Sequence, residues 1–309
     1  MTDLTPPTEP RASRQAPLRP SRRTLLGFAA ALALGPARRL LAAAPDIAPS
    51  PPEPTLRAQR LAWAGVRLIS PSTELFLDPL LDPGVWGPSL SDPLALPEDG
   101  PADRFVLVTH LHPDHFDPLA ARRALGANGT LVCDAAVAAD AASRGFRVRA
   151  ARPFEPLLAG DFTLTAVPAV DGYGAPQVSW VADGGGRRII HCGDTLWHGL
   201  WWQVGRQLGP FDAAFLPING ARFRWRQPAA EVPSVMTAEQ AVAAAVVLGA
   251  RRLVPIHYGV RGAEGYQEEE GAASTAVRVG AERHLEVQVL RPGEWVEWTD
   301  GPRRTDTVR

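Results

Sequence analysis

The sequence predicts an α+β fold in which two mixed β-sheets pack face to face with helices on the outside. Three observations carry this reading. Short apolar runs bounded by Gly, Pro and Asp recur along the chain and read as strands. They fall into two sets, each followed by segments of helical character, which is the pattern of layered sheets and helices. Three of the runs, Phe105–Val108, Ile189–Ile190 and Leu253–Ile256, empty into short loops that carry His or Asp. No repeat of 20–50 residues is evident, so one domain is expected from about 58 to 300.

The elements follow in order. Leu61–Ile69 and Glu74–Pro79 read as a hairpin of strands, and 82–103 as a loop rich in Pro, Asp and Gly. The strand 104–109 delivers a histidine-rich loop. Asp117-Pro118 pairs a cap residue with Pro at the first helical position, which starts a helix to Leu125 closed by Gly126. Leu131–Cys133 is a short strand and 135–144 an Ala-rich helix. Phe162–Val167, Val178–Ala182 and Arg188–Cys192 are strands, the last two joined by Gly184-Gly185-Gly186. Thr237-Ala238-Glu239-Gln240 is a capping box that opens an Ala/Val helix to Leu248, with Gly249 as its stop. Leu253–Ile256 is a strand that ends at His257. Strands near 285–290 and 294–298 complete the domain, and 301–309 is a charged tail.

The N-terminal region is expected to lie outside the fold. Residues 1–20 are rich in Pro, Thr and Arg without hydrophobic period and read as disordered. Ser21-Arg22-Arg23-Thr24 then precedes a moderately apolar run, and paired arginines in that setting resemble a twin-arginine export signal. The apolar run is too short to span a hydrocarbon core of ~30 Å, so export to the periplasm is favoured over an uncleaved membrane anchor. Cleavage near Ala42-Ala43-Ala44 or at Gly35-Pro36-Ala37 gives a signal within 1–44, and 45–57 reads as a Pro-rich linker. The formal net charge is −1, which gives no global field to attract nucleic acid. The two cysteines, Cys133 and Cys192, exclude a disulfide framework.

The chemistry concentrates in Thr109-His110-Leu111-His112-Pro113-Asp114-His115, which holds three of the seven histidines. On an extended backbone side chains at i and i+2 point the same way, so His110 and His112 can grip one ion together. Asp114 and His115 follow as the chain turns and face a second position, so one loop could serve two neighbouring ions. Gly193-Asp194-Thr195 places a carboxylate after another apolar strand. Its two oxygens could bridge two cations, or its side chain could cap the next helix. Pro255-Ile256-His257 ends a third strand the same way.

The order HxHxDH, then Gly-Asp, then Pro-Ile-His-Tyr-Gly resembles the metallo-β-lactamase-fold hydrolase superfamily. Trp63-x-Gly65, Leu77-Asp78-Pro79, Leu216-Pro217-Ile218 and Met236-Thr237 look like its lactonase-like branch, that of L-ascorbate-6-phosphate lactonase and N-acyl-phosphatidylethanolamine phospholipase D. The resemblance covers about residues 60–298. It implies an αββα sandwich with a site at one end of the sheets and two divalent metal ions, Zn, Mn or Fe. By position, His110 and His112 would hold the first ion, Asp114, His115 and His257 the second, and Asp194 would bridge. The family usually supplies a further histidine before the Gly-Asp motif. Here Asp171 occupies that place. Either Asp171 ligates, which makes a harder, more oxygen-rich first site and shifts preference from zinc toward manganese or iron, or the first site is weak.

The resemblance implies an exported metal-dependent hydrolase in which a metal-bridging hydroxide attacks a lactone, ester or phosphodiester and Asp114 takes up the proton. A phospholipase-D-like phosphodiesterase and a non-catalytic sensor on the same fold are the alternatives. A small-molecule or lipid-like substrate and the export machinery are the expected partners. His198, four residues after Asp194, could reach the pocket as an acid or a replacement ligand. Trp197, Trp201 and Trp202, with Trp225 between Arg224 and Arg226, could hold an apolar body with an anionic group. His191, at a strand end, is read as a structural histidine in preference to a residue that orients a ligand.

Overall fold

A computed structural model describes residues 55–97, 100 and 103–299. The expected signal, most of the expected linker and the C-terminal tail lie outside the described residues. Six strands form the first sheet in the order β1-β2-β3-β4-β5-β6: β1 (Arg57–Arg60), β2 (Val66–Ile69), β3 (Thr73–Leu77), β4 (Asp103–Leu107), β5 (Thr130–Asp134) and β6 (Val148–Ala151). β1 to β3 are antiparallel neighbours, and β3 to β6 run parallel.

The second sheet draws on β7 (Pro156–Ala159), β8 (Phe162–Pro168), β9 (Val178–Gly184), β10 (Arg187–His191) and β11 (Ala213–Pro217). A two-residue strand, β12 (Arg222–Phe223), pairs separately with β14 (Tyr266–Gln267). β13 (Arg252–Ile256) and β15 (Glu286–Val287) return to the second sheet, whose order is β15-β13-β11-β10-β9-β8-β7. β7 to β10 are antiparallel neighbours, and β10, β11, β13 and β15 are parallel. Both sheets are mixed, as expected.

Helices α1 (Pro118–Leu125) and α2 (Ala138–Ser143) cover one outer face, and α3 (Trp201–Leu208), α4 (Ala238–Val247) and α5 (Ala272–Glu282) the other. The period-2 alternation of the strands sorts their side chains among three cores. Leu75, Leu77, Phe105 and Leu107 point inward and meet Phe162, Leu164, Trp180 and Phe215 of the opposite sheet. Phe76, Val106 and Val108 point outward onto Ala120, Ala121 and Ala124 of α1. Ile190, Ala214 and Leu216 meet Trp201, Val204 and Val242 on the other side. The result is four layers, helix–sheet–sheet–helix.

Local signals place the helices. The Asp117 side chain accepts hydrogen bonds from Leu119 N–H and Ala120 N–H, and Gly126 ends α1 at φ 60°. Thr237 and Gln240 form the reciprocal capping box of α4. Elsewhere the structure departs from the expectation. The sheet begins at Arg57, inside the expected linker, because Arg57 pairs with Ile69. The strand expected at 294–298 reduces to one bridge between Gln59 and Trp295, and that at 285–290 to Glu286–Val287. β6 and β7 carry no strand signal in the sequence because, at the edges of their sheets, half of their residues lie in water, which erases the alternation. α3 and α5 lack capping side chains, and this removed the signal that marked α1 and α4.

Among the described residues no helix is long and apolar enough to cross a membrane.

Candidate metal centre

Five strand ends converge. β3, β4, β8, β10 and β13 all run toward one edge of the sandwich, and the residues just past them are Asp78, His110–His115, Asp171, Asp194 and His257. The two sheets are tied together there. Val178 N–H donates to Thr109 C=O at 3.1 Å, and the indole of Trp180 donates to Val108 C=O at 3.0 Å. The histidine loop of one sheet is thus fixed by strand β9 of the other.

The side chains sort into two groups. His110, His112, Asp171 and Asp194 form the first, and Asp114, His115 and His257 the second, with the candidate ligand atoms of each group within 4.8 Å of one another. In the first, His110 Nε2 and His112 Nδ1 are 2.8 Å apart. Asp171 Oδ2 lies 3.4 Å from His112 Nδ1 and 3.9 Å from His110 Nε2. Asp194 faces both groups: Oδ1 is 3.7 Å from His110 Nε2, and Oδ2 is 4.0 Å from His115 Nε2. In the second, Asp114 Oδ2 is 4.0 Å from both His115 Nε2 and His257 Nε2.

Several of the atoms around the two centres are left without hydrogen bonds. Asp171 Oδ2, Asp194 Oδ1, His115 Nε2 and both ring nitrogens of His257 are buried and have no partner. Buried polar atoms are rarely orphaned, and a cluster of them aimed at one space fits cations. The donor set, imidazole nitrogens and carboxylate oxygens, is the one that divalent transition metals take.

The outer faces of these residues are held. Asp78 Oδ2 binds His115 Nδ1 at 2.8 Å and accepts from the Thr109 hydroxyl at 2.7 Å, while Oδ1 accepts from Thr109 N–H at 2.8 Å. The Asp171 turn is self-sealed, since Oδ1 accepts from Tyr173 N–H at 2.6 Å and Ala175 N–H at 3.0 Å. Gly193 precedes Asp194 at φ +58°, and a Cβ there would come within 2.8 Å of Thr109 Oγ1. Only Gly permits that approach. Trp63, Asp78 and His257 are non-Gly residues at positive φ of 57°, 42° and 56°. Strained backbone of this kind collects at functional sites.

Burial and mutual charge set the proton load. Burial, with His115 and His112 close by, lowers His110 to about 3. Burial and the same imidazole neighbours hold His257 well below its ordinary value. For His115, burial works downward, but Asp114, Asp194 and Asp78 outweigh it and raise the group to about 10. Asp114, Asp194 and Asp78 thus hold the proton on His115.

Other sequence candidates sit as follows. His198 belongs to neither group. Its ring stacks on Trp201 at 4.2 Å, and its Nδ1 accepts from Leu200 N–H. Trp225 reaches the site through Tyr173: its indole donates to Tyr173 Oη at 2.6 Å, and the Tyr173 ring meets the His112 ring edge-on at 5.7 Å. Arg226 lies over the Tyr173 ring at 3.6 Å, whereas Arg224 points to Gln267. His191 Nε2–H donates to Ala64 C=O, 2.7 Å away, which fits a structural role. Sequence reasoning missed Asp78, Trp63 and Trp86 as site residues. The first two sit in the motifs Leu77-Asp78-Pro79 and Trp63-x-Gly65, so their signal was present; Trp86 comes from a loop with no motif.

Comparison with known proteins gives the family and the fold. A family model described as "Beta-lactamase superfamily domain" matches residues 73–258. A protein of Rubrobacter xylanophilus named a metal-dependent hydrolase is 31% identical over 253 residues, 77% of this chain and 95% of the relative. A metallo hydrolase of the archaeon Ignicoccus hospitalis has a similar structure, with TM-score 0.60 at 21% identity over 78% of this chain and 97% of its own. A diiron β-hydroxylase of Streptomyces venezuelae gives TM-score 0.62 at 16% identity, over 80% of this chain and 55% of its own.

Proposed function

We propose, for a chain that belongs to the beta-lactamase superfamily and is a metal-dependent hydrolase, that it cleaves a lactone, ester or phosphodiester with two divalent ions, after export through a twin-arginine signal. One observation carries the metal assignment: the unpartnered, buried oxygens and nitrogens of Asp171, Asp194, His115 and His257 converge on two adjoining positions. His110, His112 and Asp171 would hold the first ion and Asp114, His115 and His257 the second, with Asp194 facing both groups.

Paired divalent ions supply a water acidified to a pKa of about 7 and a positive field for an attacked carbonyl or phosphoryl oxygen. The chain's own residues do the rest. Asp114, whose Oδ2 accepts from the indoles of Trp63 and Trp86, would orient the attacking water and take up its proton. Asp78 fixes the ring of His115 through Nδ1, which leaves Nε2 to face the centre. Tyr173, Trp225 and Arg226 form one wall, where an aromatic surface beside a guanidinium suits a substrate with an apolar body and an anionic group. The oxygen of Asp171 in place of a family histidine favours manganese or iron over zinc at the first position. The diiron hydroxylase, at 16% identity, shares the fold, whereas the relative at 31% identity carries a hydrolase name, so hydrolysis is the reading we adopt.

The test is metal analysis of protein purified from its own periplasm, with a screen of lactones, phosphodiesters and β-lactams. Fewer than one tightly held ion per chain, with no turnover after loading Mn, Fe or Zn, refutes the proposal.

A further inference from the structure

The second group is flanked by an aromatic cluster that no hydrolytic step above requires. Trp63 is fully buried, and Trp86 is 6% exposed. Both indole N–H groups donate to one atom, Asp114 Oδ2, at 3.2 and 3.1 Å. The rings touch each other at 5.4 Å between centroids. Trp63 also packs on the His257 ring at 4.1 Å, and its C=O accepts from His257 N–H at 3.1 Å. Trp86 packs on Tyr266 at 4.5 Å. Tyr266 donates through its hydroxyl to Glu268 at 3.0 Å, and Glu268 accepts from Gly259 N–H and Val260 N–H, in the turn that follows His257.

We infer that Trp63 and Trp86 act together as positioning residues for the second metal position, a clamp that sets Asp114 and His257 relative to each other. This inference rests on the two-ion reading of the preceding section. The physical argument starts from burial. Asp114 is buried beside aromatic rings, where a carboxylate oxygen without donors is unfavourable. Two neutral donors satisfy that oxygen without adding a positive charge that would repel a cation. Indole suits the task because its N–H donates and cannot accept or ionise, so it never competes for the ion. The rigid ring also fixes the direction of the donor. Trp63 further joins ligands from opposite sheets: Asp114 follows β4 of the first, and His257 follows β13 of the second. Trp63 holds both contacts from a backbone at positive φ of 57°, a conformation that collects at functional sites. Outer contacts of this kind set metal affinity as strongly as tenfold to one hundredfold.

The experiment uses the full chain with indole-¹⁵N tryptophan and three variants, W63F, W86F and D114N, with W295F as a control away from the site. In metal-free protein, D114N shifts two indole resonances, the same two that W63F and W86F delete. Added Mn²⁺ broadens those two beyond detection at an occupancy where the Trp295 signal survives. In chelator competition with Zn²⁺, W63F and W86F weaken the second equivalent tenfold to one hundredfold and leave the first within a factor of about three. W295F changes neither. If W63F fails to fold, W86F and the D114N spectra decide. Unshifted indole signals in D114N, or an unchanged second equivalent in folded W86F, overturns the clamp while the two-ion reading stands. A wild-type chain that binds neither ion overturns both.

Discussion

Asp171→Asn separates the two roles that the structure gives one carboxylate. Oδ1 closes a turn by accepting from Tyr173 and Ala175 N–H. Oδ2 is buried, unpartnered and 3.4 Å from His112 Nδ1. Asn keeps an oxygen for the turn and replaces the charged atom that faces the first ion. Truncating one partner of a buried charged pair costs roughly 2–5 kcal/mol; a loss of about 2.7 kcal/mol is a hundredfold in Kd. An ion at one hundred times its Kd stabilises a fold by about 2.7 kcal/mol, and after a hundredfold loss the same addition contributes only about 0.4 kcal/mol. At roughly 2–4 °C per kcal/mol for a domain of this size, the metal-induced rise in Tm falls from about 5–10 °C to about 1 °C. The metal-free variant moves the other way or not at all, since it no longer buries an unpaired charge. Thermal melts of both proteins with and without Mn²⁺ read both signs. An undiminished metal-induced shift in the Asn variant refutes ligation by Asp171. Asp171→His restores the imidazole usual in the family, and a preference that moves toward zinc is the expected companion result.

The remaining predictions are shorter. Asp78→Asn loosens His115 without touching an ion and lowers affinity for the second equivalent tenfold to one hundredfold, read by chelator competition; unchanged affinity removes Asp78 from the site's support. Metal binding near pH 7 releases about one proton, because His115, raised to about 10, must lose its proton, while His110, lowered to about 3, and His257 are already neutral. Affinity therefore rises with pH up to about 10, and titration calorimetry in buffers of different ionisation enthalpy counts the proton; a count of zero is the contrary result. Burial pushes the Cys133 and Cys192 thiols up to about 12, so a disulfide reagent at pH 8 labels neither in the native protein and both in denaturant. Replacing Arg22 and Arg23 with Lys leaves the protein in the cytoplasm if the paired arginines direct export, as cell fractionation will show.

What the sequence disclosed about this site follows from how locally each part is encoded. His110, His112, Asp114 and His115 share one loop, so their spacing alone places them. Asp194 and His257 are single residues, legible because each follows an apolar strand whose direction brings its end to the same edge. The four-layer fold was legible for a similar reason: short apolar runs bounded by turn residues mark β3, β4 and β8, whereas the half-exposed β6 and β7 carry no such pattern. Trp86 lies at the other limit. Nothing near it in the chain indicates that its indole meets Asp114, twenty-eight positions away, because that contact is created by the packing of a loop. Asp171 is the instructive middle case. From spacing alone it is an ordinary turn residue, and its two bonds to Tyr173 and Ala175 make it one. Its second oxygen, turned inward and left without a donor, is what a turn does not need. That unused oxygen sits beside His110 and His112, so the turn and the first metal position are one structure, and an amide at 171 keeps the first while it weakens the second.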